Sequence, residues 1–315
     1  MNENKNIQLN SASNFLILLD KLSDGLFGLE NLNEKKLSEN HYSYREDRGI
    51  ETNFFLSSPS QLNIFDFGVL CAAISEFAAG NEVFTIRRLW RKIGGGYNLP
   101  SEMNQLISDS VEKLALTRFS ADLTNVNQKF KYSDVDEIVI KKYLLPVNAI
   151  ETKINGQVSD SVFRIIDTPP LLEIAELKSQ LVSYDSSLLD VPHLRNTLQT
   201  IIMKIYLFYR VISIVGSHKQ HKKHFCGKDK DGKLKFKTAN KLDGKILFST
   251  LFEKCGLSDA TKRQQQQARE TITKILNHFQ SKKLIKNWRF EKANGAFRAI
   301  EINFKTPKNE LTQKT

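Results

Sequence analysis

The clearest periodicity lies near the end of the chain. In ATKRQQQQARETITKILNHFQS, residues 260–281, apolar side chains fall at Ala268, Ile272, Ile275, Leu276 and Phe279, at spacings of four, three, one and three. Those spacings trace one stripe of a helix and leave the other faces polar. The run before it, ILFSTLFEKC at residues 246–255, also has helical spacing, stops at Gly256 and is followed by Leu257-Ser258-Asp259 as a capping segment. After the long helix, LIKNWRF and AFRAIEINF read as two strands around a turn at residues 292–295. Helix, tight turn, helix and β-hairpin is the order of a winged helix-turn-helix.

A similar order occurs upstream. IFDFGVLCAAISEFAAG is apolar at helical spacing and ends at Gly80-Asn81, and FTIRRLWRKIGGG reads as a short helix with Thr85 as N-cap. Ser101 is expected to cap SEMNQLISDSVEKLALTRF, whose Met103, Leu106, Ile107, Ser110, Val111 and Leu114 share a face. Strand-like runs FSADLT, DEIVIKKYLLPVNAIETKI and VSDSVFRII follow, with Asn155-Gly156 as a hairpin turn. Asp167-Thr168-Pro169-Pro170 marks a boundary, because two prolines continue neither element. LLEIAELKSQL then reads as a short helix, VSYDSSLLDVPHL as a connector, and residues 197–215 as a buried apolar helix ended by Gly216.

The expected fold class is therefore α+β: two tandem winged-helix domains, helix-rich, with β-hairpin wings. The expected boundaries are an extension at 1–57, a first winged helix at 58–168, a second at 169–305 and a tail at 306–315. Within the extension, Phe15, Leu18, Leu22, Leu26 and Leu29 suggest an amphipathic helix over residues 14–29, and the polar residues 31–47 a mobile arm. Residues 217–245, lysine-rich and full of turn formers, read as an exposed mobile loop.

Charge sharpens this picture because it is uneven. Residues 216–315 hold 24 Lys and Arg against 9 Asp and Glu, whereas residues 1–215 hold 22 against 26. A surplus concentrated in the last third points to a polyanionic partner there. On the long helix the polar face presents Lys262, Gln266, Arg269 and Thr273, flanked by Arg263 and Gln267. Glutamine matches the donor–acceptor pair of adenine and arginine the two acceptors of guanine. Lys286, Arg289, Lys292 and Arg298 add charge on the hairpin, and Lys222 and Lys223 in the basic loop could track phosphates. Trp288 is expected in the core. In the first domain the candidates are Arg87, Arg88 and Arg91, beside Lys92 and Trp90, whereas its third helix has only Lys113 and Arg118 as cations.

Other chemistry is sparse. The run His218, His221, His224, Cys226 has metal-ligand residue types but no second Cys or His cluster to complete a zinc site, so no metal is expected. Three scattered cysteines give no disulfide framework and fit a cytoplasmic protein. There is no phosphate-binding G-x4-G-K-[ST] run, no His-x-His pair and no Ser-His-Asp set. Gly94-Gly95-Gly96 leads into Tyr97-Asn98 and looks like a helix stop. The expectation is a protein with no catalytic residues, no cofactor and no membrane span.

Three stretches carry a family resemblance: LNIFDFGVLCAAISEFAAGNEVFTIRRLWRKIGG, the SEMNQLISDSVEKLALTR helix, and ILFSTLFEKCGL with the basic glutamine-rich helix after it. Over roughly residues 58–304 the chain resembles the iteron-type plasmid replication initiators, the Rep proteins of theta replication. The resemblance implies binding to repeated double-stranded sites at an origin and opening of the adjacent duplex. It also implies recruitment of a host replication initiator and helicase, repression of the chain's own promoter, and a switch between homodimer and monomer. The weakly basic first domain departs from what a second DNA reader requires. Two other readings use the same residues: a transcriptional repressor, and an adaptor for helicase loading that binds DNA without sequence preference.

Overall fold

The computed structural model describes residues 14–18, 21–29, 34–38, 41–45, 51–124, 139–154, 157–178, 180–219, 223–228, 234–238 and 244–304. The fold is mixed α/β, with helices packed on several small antiparallel sheets. Two compact units divide the chain, Met1–Asp190 with Arg195–Ile205, and Val191–Leu194 with Tyr206–Thr315.

The first unit begins with β1 (Asn14–Leu18) and α1 (Lys21–Leu26), not with one amphipathic helix. Phe15, Leu16, Ile17 and Leu18 are all buried, which suits a strand covered on both faces. The polar segment expected as a mobile arm contains β2 (Glu34–Ser38) and β3 (His41–Arg45), and β4 (Glu51–Ser57) follows. α2 (Ile64–Ala78) is buried along nearly its whole length. Asn63 and Asp66 form a reciprocal capping box at its start, which satisfies backbone N–H groups a helix end leaves orphaned.

β5 (Val83–Thr85) leads directly into α3 (Ile86–Lys92), where Thr85 caps as its sequence position suggests. α4 (Ser101–Leu116) takes Pro100 as its N-cap without a side-chain bond, so Ser101 is the first helical residue and not the cap. Buried Ser110 on α4 donates to Asp66 at 2.7 Å, and Lys113 pairs with the same carboxylate at 2.8 Å, fixing α4 on α2.

β6 (Arg118–Asp122) and β7 (Val139–Tyr143) extend β2, β3 and β4 into a five-stranded sheet of order β2-β3-β4-β6-β7. β8 (Val147–Ile154) and β9 (Gln157–Ile165) form the expected hairpin, Ile154 opposite Gln157; the Asn155-Gly156 turn lies outside the described residues. This hairpin takes β5 alongside β9. α5 (Pro170–Leu177) follows. The expected connector holds β10 (Leu181–Asp185), antiparallel to β1, and a 3-10 turn at Ser186–Leu188.

α6 (Leu198–Lys219) passes through Gly216 and ends four residues beyond its expected last residue, Val215. Its apolar stretch Leu198–Gly216 is, among the described residues, the one helix long and apolar enough to cross a membrane, and most of it is buried in the protein.

In the second unit, β11 (Lys223–Lys228) and β12 (Leu234–Thr238) pair antiparallel where a mobile loop was expected. The alternation in LKFKT is a strand signal that the lysine content masks. β13 (Lys245–Leu247) takes the first residues of the expected helix, and α7 (Phe248–Lys254) the rest. α8 (Lys262–Ser281) is followed by β14 (Asn287–Ala293) and β15 (Ala296–Asn303), with β13 completing a sheet of order β13-β15-β14. Asn294 and Gly295 make the two-residue turn, both at positive φ, 51° and 77°. That pair of dihedrals matches the right-handed twist of the two strands.

Candidate nucleic-acid interface

α8 starts with Thr261, whose hydroxyl accepts from the Gln264 backbone N–H, while the Gln264 side chain accepts from the Thr261 backbone N–H. Gln265 bonds the Ala260 carbonyl. Two of the four glutamines therefore build the helix start, and the other two, Gln266 and Gln267, stand exposed with Lys262 and Arg263. Gln266 donates to Glu270 at 3.3 Å, a long surface bond that a better partner can displace. The positive end of the helix dipole coincides with these cations and strengthens the pull on an anion.

The buried stripe of α8 is the expected one, Ala268, Ile272, Ile275, Leu276 and Phe279, with His278 in addition. Phe279 packs against Phe208 of α6 at 5.9 Å between ring centroids. Thr273 is half-buried and its hydroxyl donates to the Arg269 carbonyl, so it faces its own backbone.

The hairpin is seated by aromatic rings. Phe248 of α7, Phe290 of β14 and Phe297 of β15 lie 5.4–6.0 Å apart, and Trp288 meets Phe290 edge-on at 5.0 Å. Half-buried Trp288 also donates from Nε1 to Asn277 on α8 at 3.1 Å. Lys286, Arg289, Lys292 and Arg298 are all exposed on the hairpin. Arg289 is held by Glu301 on the opposite strand at 2.6 Å, and Lys245 by Glu291 at 2.7 Å. Lys245 bonded to Glu291 keeps that carboxyl below the usual carboxylate range.

A second link between helix and hairpin is one that the sequence did not reveal. Arg269 of α8 and Lys292 of β14 each lie 4.6 Å from the centroid of the same ring, Phe297. The only sequence hint was an aromatic two residues past the Asn-Gly turn.

In the first unit Arg87 and Arg91 are exposed on α3, with Arg91 over Tyr97 at 5.1 Å. Arg88 is turned toward Glu76, a buried carboxylate of α2, at 2.7 Å, and buried Lys92 pairs with the same group at 3.3 Å. Trp90 is fully buried. The three glycines are more than a helix stop: a Cβ on Gly95 would fall inside the Trp90 ring, and one on Gly94 onto the Leu189 carbonyl. The carbonyls of Gly94 and Gly95 accept from Lys204 and Asn196, which fixes the loop.

Lys222 lies outside the described residues and Lys223 begins β11. Of the His-Cys run, His218 falls on α6 and His224 and Cys226 on β11, while His221 is outside the described residues. Burial pushes the Cys71 and Cys255 thiols up to about 12, so neither is a thiolate at neutral pH.

No family model matches the chain, and no curated protein matches it. Two solved structures to which it is similar are both of RctB domains 2 and 3. One, of selenomethionine derivatives, is 8% identical, covers 92% of this chain and 100% of its own, and has a TM-score of 0.41. The other is 10% identical, covers 91% of this chain and 97% of its own, and has a TM-score of 0.45.

Proposed function

We propose that the chain is a non-enzymatic, sequence-specific binder of double-stranded DNA that initiates replication of a plasmid or mobile element. The observation that carries this reading is the surface of α8 and its hairpin. Lys262, Arg263, Gln266 and Gln267 stand exposed on the first turns of a capped helix, and cationic β14 and β15 follow it. A helix presented by its N-terminal half can enter a major groove, while a basic hairpin holds the backbone beside it.

Topology supports tandem winged helices. β13, α7, α8, β14 and β15 form a strand, two helices and a hairpin, with the first strand paired to the last. β5, α3, α4, β8 and β9 repeat that order, with β6 and β7 inserted, and the sheet order β5-β9-β8 matches β13-β15-β14. In the first unit, Arg88 and Lys92 engage Glu76, which weakens α3 as a DNA surface. The second module is therefore the principal reader.

Origin repeats as the target, a host initiator and helicase as partners, homodimerisation and a cytoplasmic site of action rest on the resemblance to plasmid initiators. The test is maintenance. A plasmid lacking any other initiator gene, carrying this gene with its flanking DNA, should persist, and Lys262→Glu combined with Gln266→Ala should abolish persistence. Loss of the wild-type plasmid together with repression of a reporter fused to the gene's promoter would favour the repressor instead.

A further inference from the structure

We infer that Phe297 is a positioning residue for DNA recognition, its ring gathering Arg269 from the helix and Lys292 from the hairpin into one preassembled pair of cations. The inference rests on the DNA-binding reading and specifies how helix and hairpin act together.

Three observations converge. The first is the shared ring: both cations lie 4.6 Å from its centroid. Two like charges so placed repel each other, and a polyanion relieves that repulsion. The second is the fixed orientation of the ring. Phe297 is held edge-on by Phe290, at 5.5 Å and 84°, and by Phe248, at 6.0 Å and 65°. A ring locked by two neighbours presents its faces in one place, and a guanidinium over such a face loses conformational freedom before binding while its N–H donors stay available at its rim.

The third is the strand register. Glu291 faces Ala299, and the next pair is Lys292 with Phe297, so the ladder skips Arg298. Arg298 is the extra residue of a β-bulge: the two-residue turn sets Lys292 opposite Phe297, and the ladder then resumes with Glu291 opposite Ala299, where unbroken pairing would have put Arg298. Bulges that re-aim side chains are concentrated at functional edges. Here the turn sets Lys292 opposite Phe297, and the bulge takes Arg298 out of the ladder and leaves it exposed beside the pair.

The test uses the full chain and a labelled duplex that the wild-type protein selects from a randomised pool. Phe297→Leu, Phe297→Tyr, Arg269→Ala and the Phe297→Leu/Arg269→Ala double variant are compared by fluorescence anisotropy, with thermal melts run in parallel. Phe297→Leu should weaken binding by ~5-fold, in the range expected for a cation–π contact, and Phe297→Tyr should restore it. In the Arg269→Ala background the same Leu substitution should cost less than it does in the wild type, since of the two cations on the ring only Lys292 remains. The dependence on salt should persist in Phe297→Leu, because no charge is removed. If Phe297→Leu lowers the melting temperature, Phe297→Met replaces it in the cycle, filling similar volume without a ring. Equal losses in both backgrounds, or a Tyr variant as weak as the Leu variant, overturn the inference and leave DNA binding standing. A wild-type chain that selects no duplex overturns both.

Discussion

Lys204 offers a test of the first unit that reads directly from geometry. It lies on α6 with no exposed surface, and Nζ donates to the Gly94 carbonyl and, at 2.9 Å, to Asn196 Oδ1. Burial pushes its pKa down to about 7, from an ordinary value of 10.5, with the Asp190 charge opposing part of that change. A lysine with a lowered folded pKa is protonated more readily in the unfolded chain. Between pH 7 and 10.5 the unfolded state therefore binds more protons, and stability rises with pH. Below pH 7 both states are charged and the penalty is constant.

One proton bound by the unfolded chain alone is worth about 1.4 kcal/mol for each pH step of one, so raising the pH from about 7 to 9 should add on the order of 2 kcal/mol to the unfolding free energy of the first unit. Lys204→Met keeps the length of the side chain and removes the titration. Its lost hydrogen bonds lower stability, but that loss does not change with pH. The assay is urea unfolding at several pH values in a Trp288→Phe background, where Trp90, buried in the first unit, is the remaining tryptophan. The wild-type stability should climb relative to Lys204→Met over this window. Parallel pH profiles for the two proteins would refute the reasoning.

Other substitutions probe the packing and the reading surface. Gly95→Ala should destabilise the first unit by about 1–3 kcal/mol in urea unfolding, because the added methyl meets the Trp90 ring. Glu76→Gln removes the carboxylate that Arg88 and buried Lys92 share, and should cost about 3 kcal/mol in the same assay. Arg269→Ala should weaken binding to the selected duplex by about 1–3 kcal/mol and relax discrimination at one base position, whereas equal loss on scrambled DNA would mark a phosphate contact.

Much of the second module was legible in sequence because its signals are local. Ala268, Ile272, Ile275, Leu276 and Phe279 follow helical spacing, and Asn294-Gly295 names its own turn. What stayed hidden depends on partners distant in sequence. FLIL reads as part of a helix until β10, more than 160 residues later, is known to pair with it. The strands β2 and β3 are too polar to stand out, and belong to a sheet completed by β6 and β7. Glu76 looks like an ordinary helix residue, and only packing shows it buried and pairing with both exposed Arg88 and buried Lys92. The Phe297 contact joins Arg269 of α8 to Lys292 of β14, positions that no periodicity brings together.

The most direct test of the central claim is the salt dependence of binding between the full chain and the duplex it selects. If the basic face of α8 and the hairpin neutralise about 6 to 10 phosphates, log K should fall linearly with log salt at a slope near −5 to −9. Removing Lys292 should reduce that slope by about one. A complex whose affinity is indifferent to salt would contradict the account.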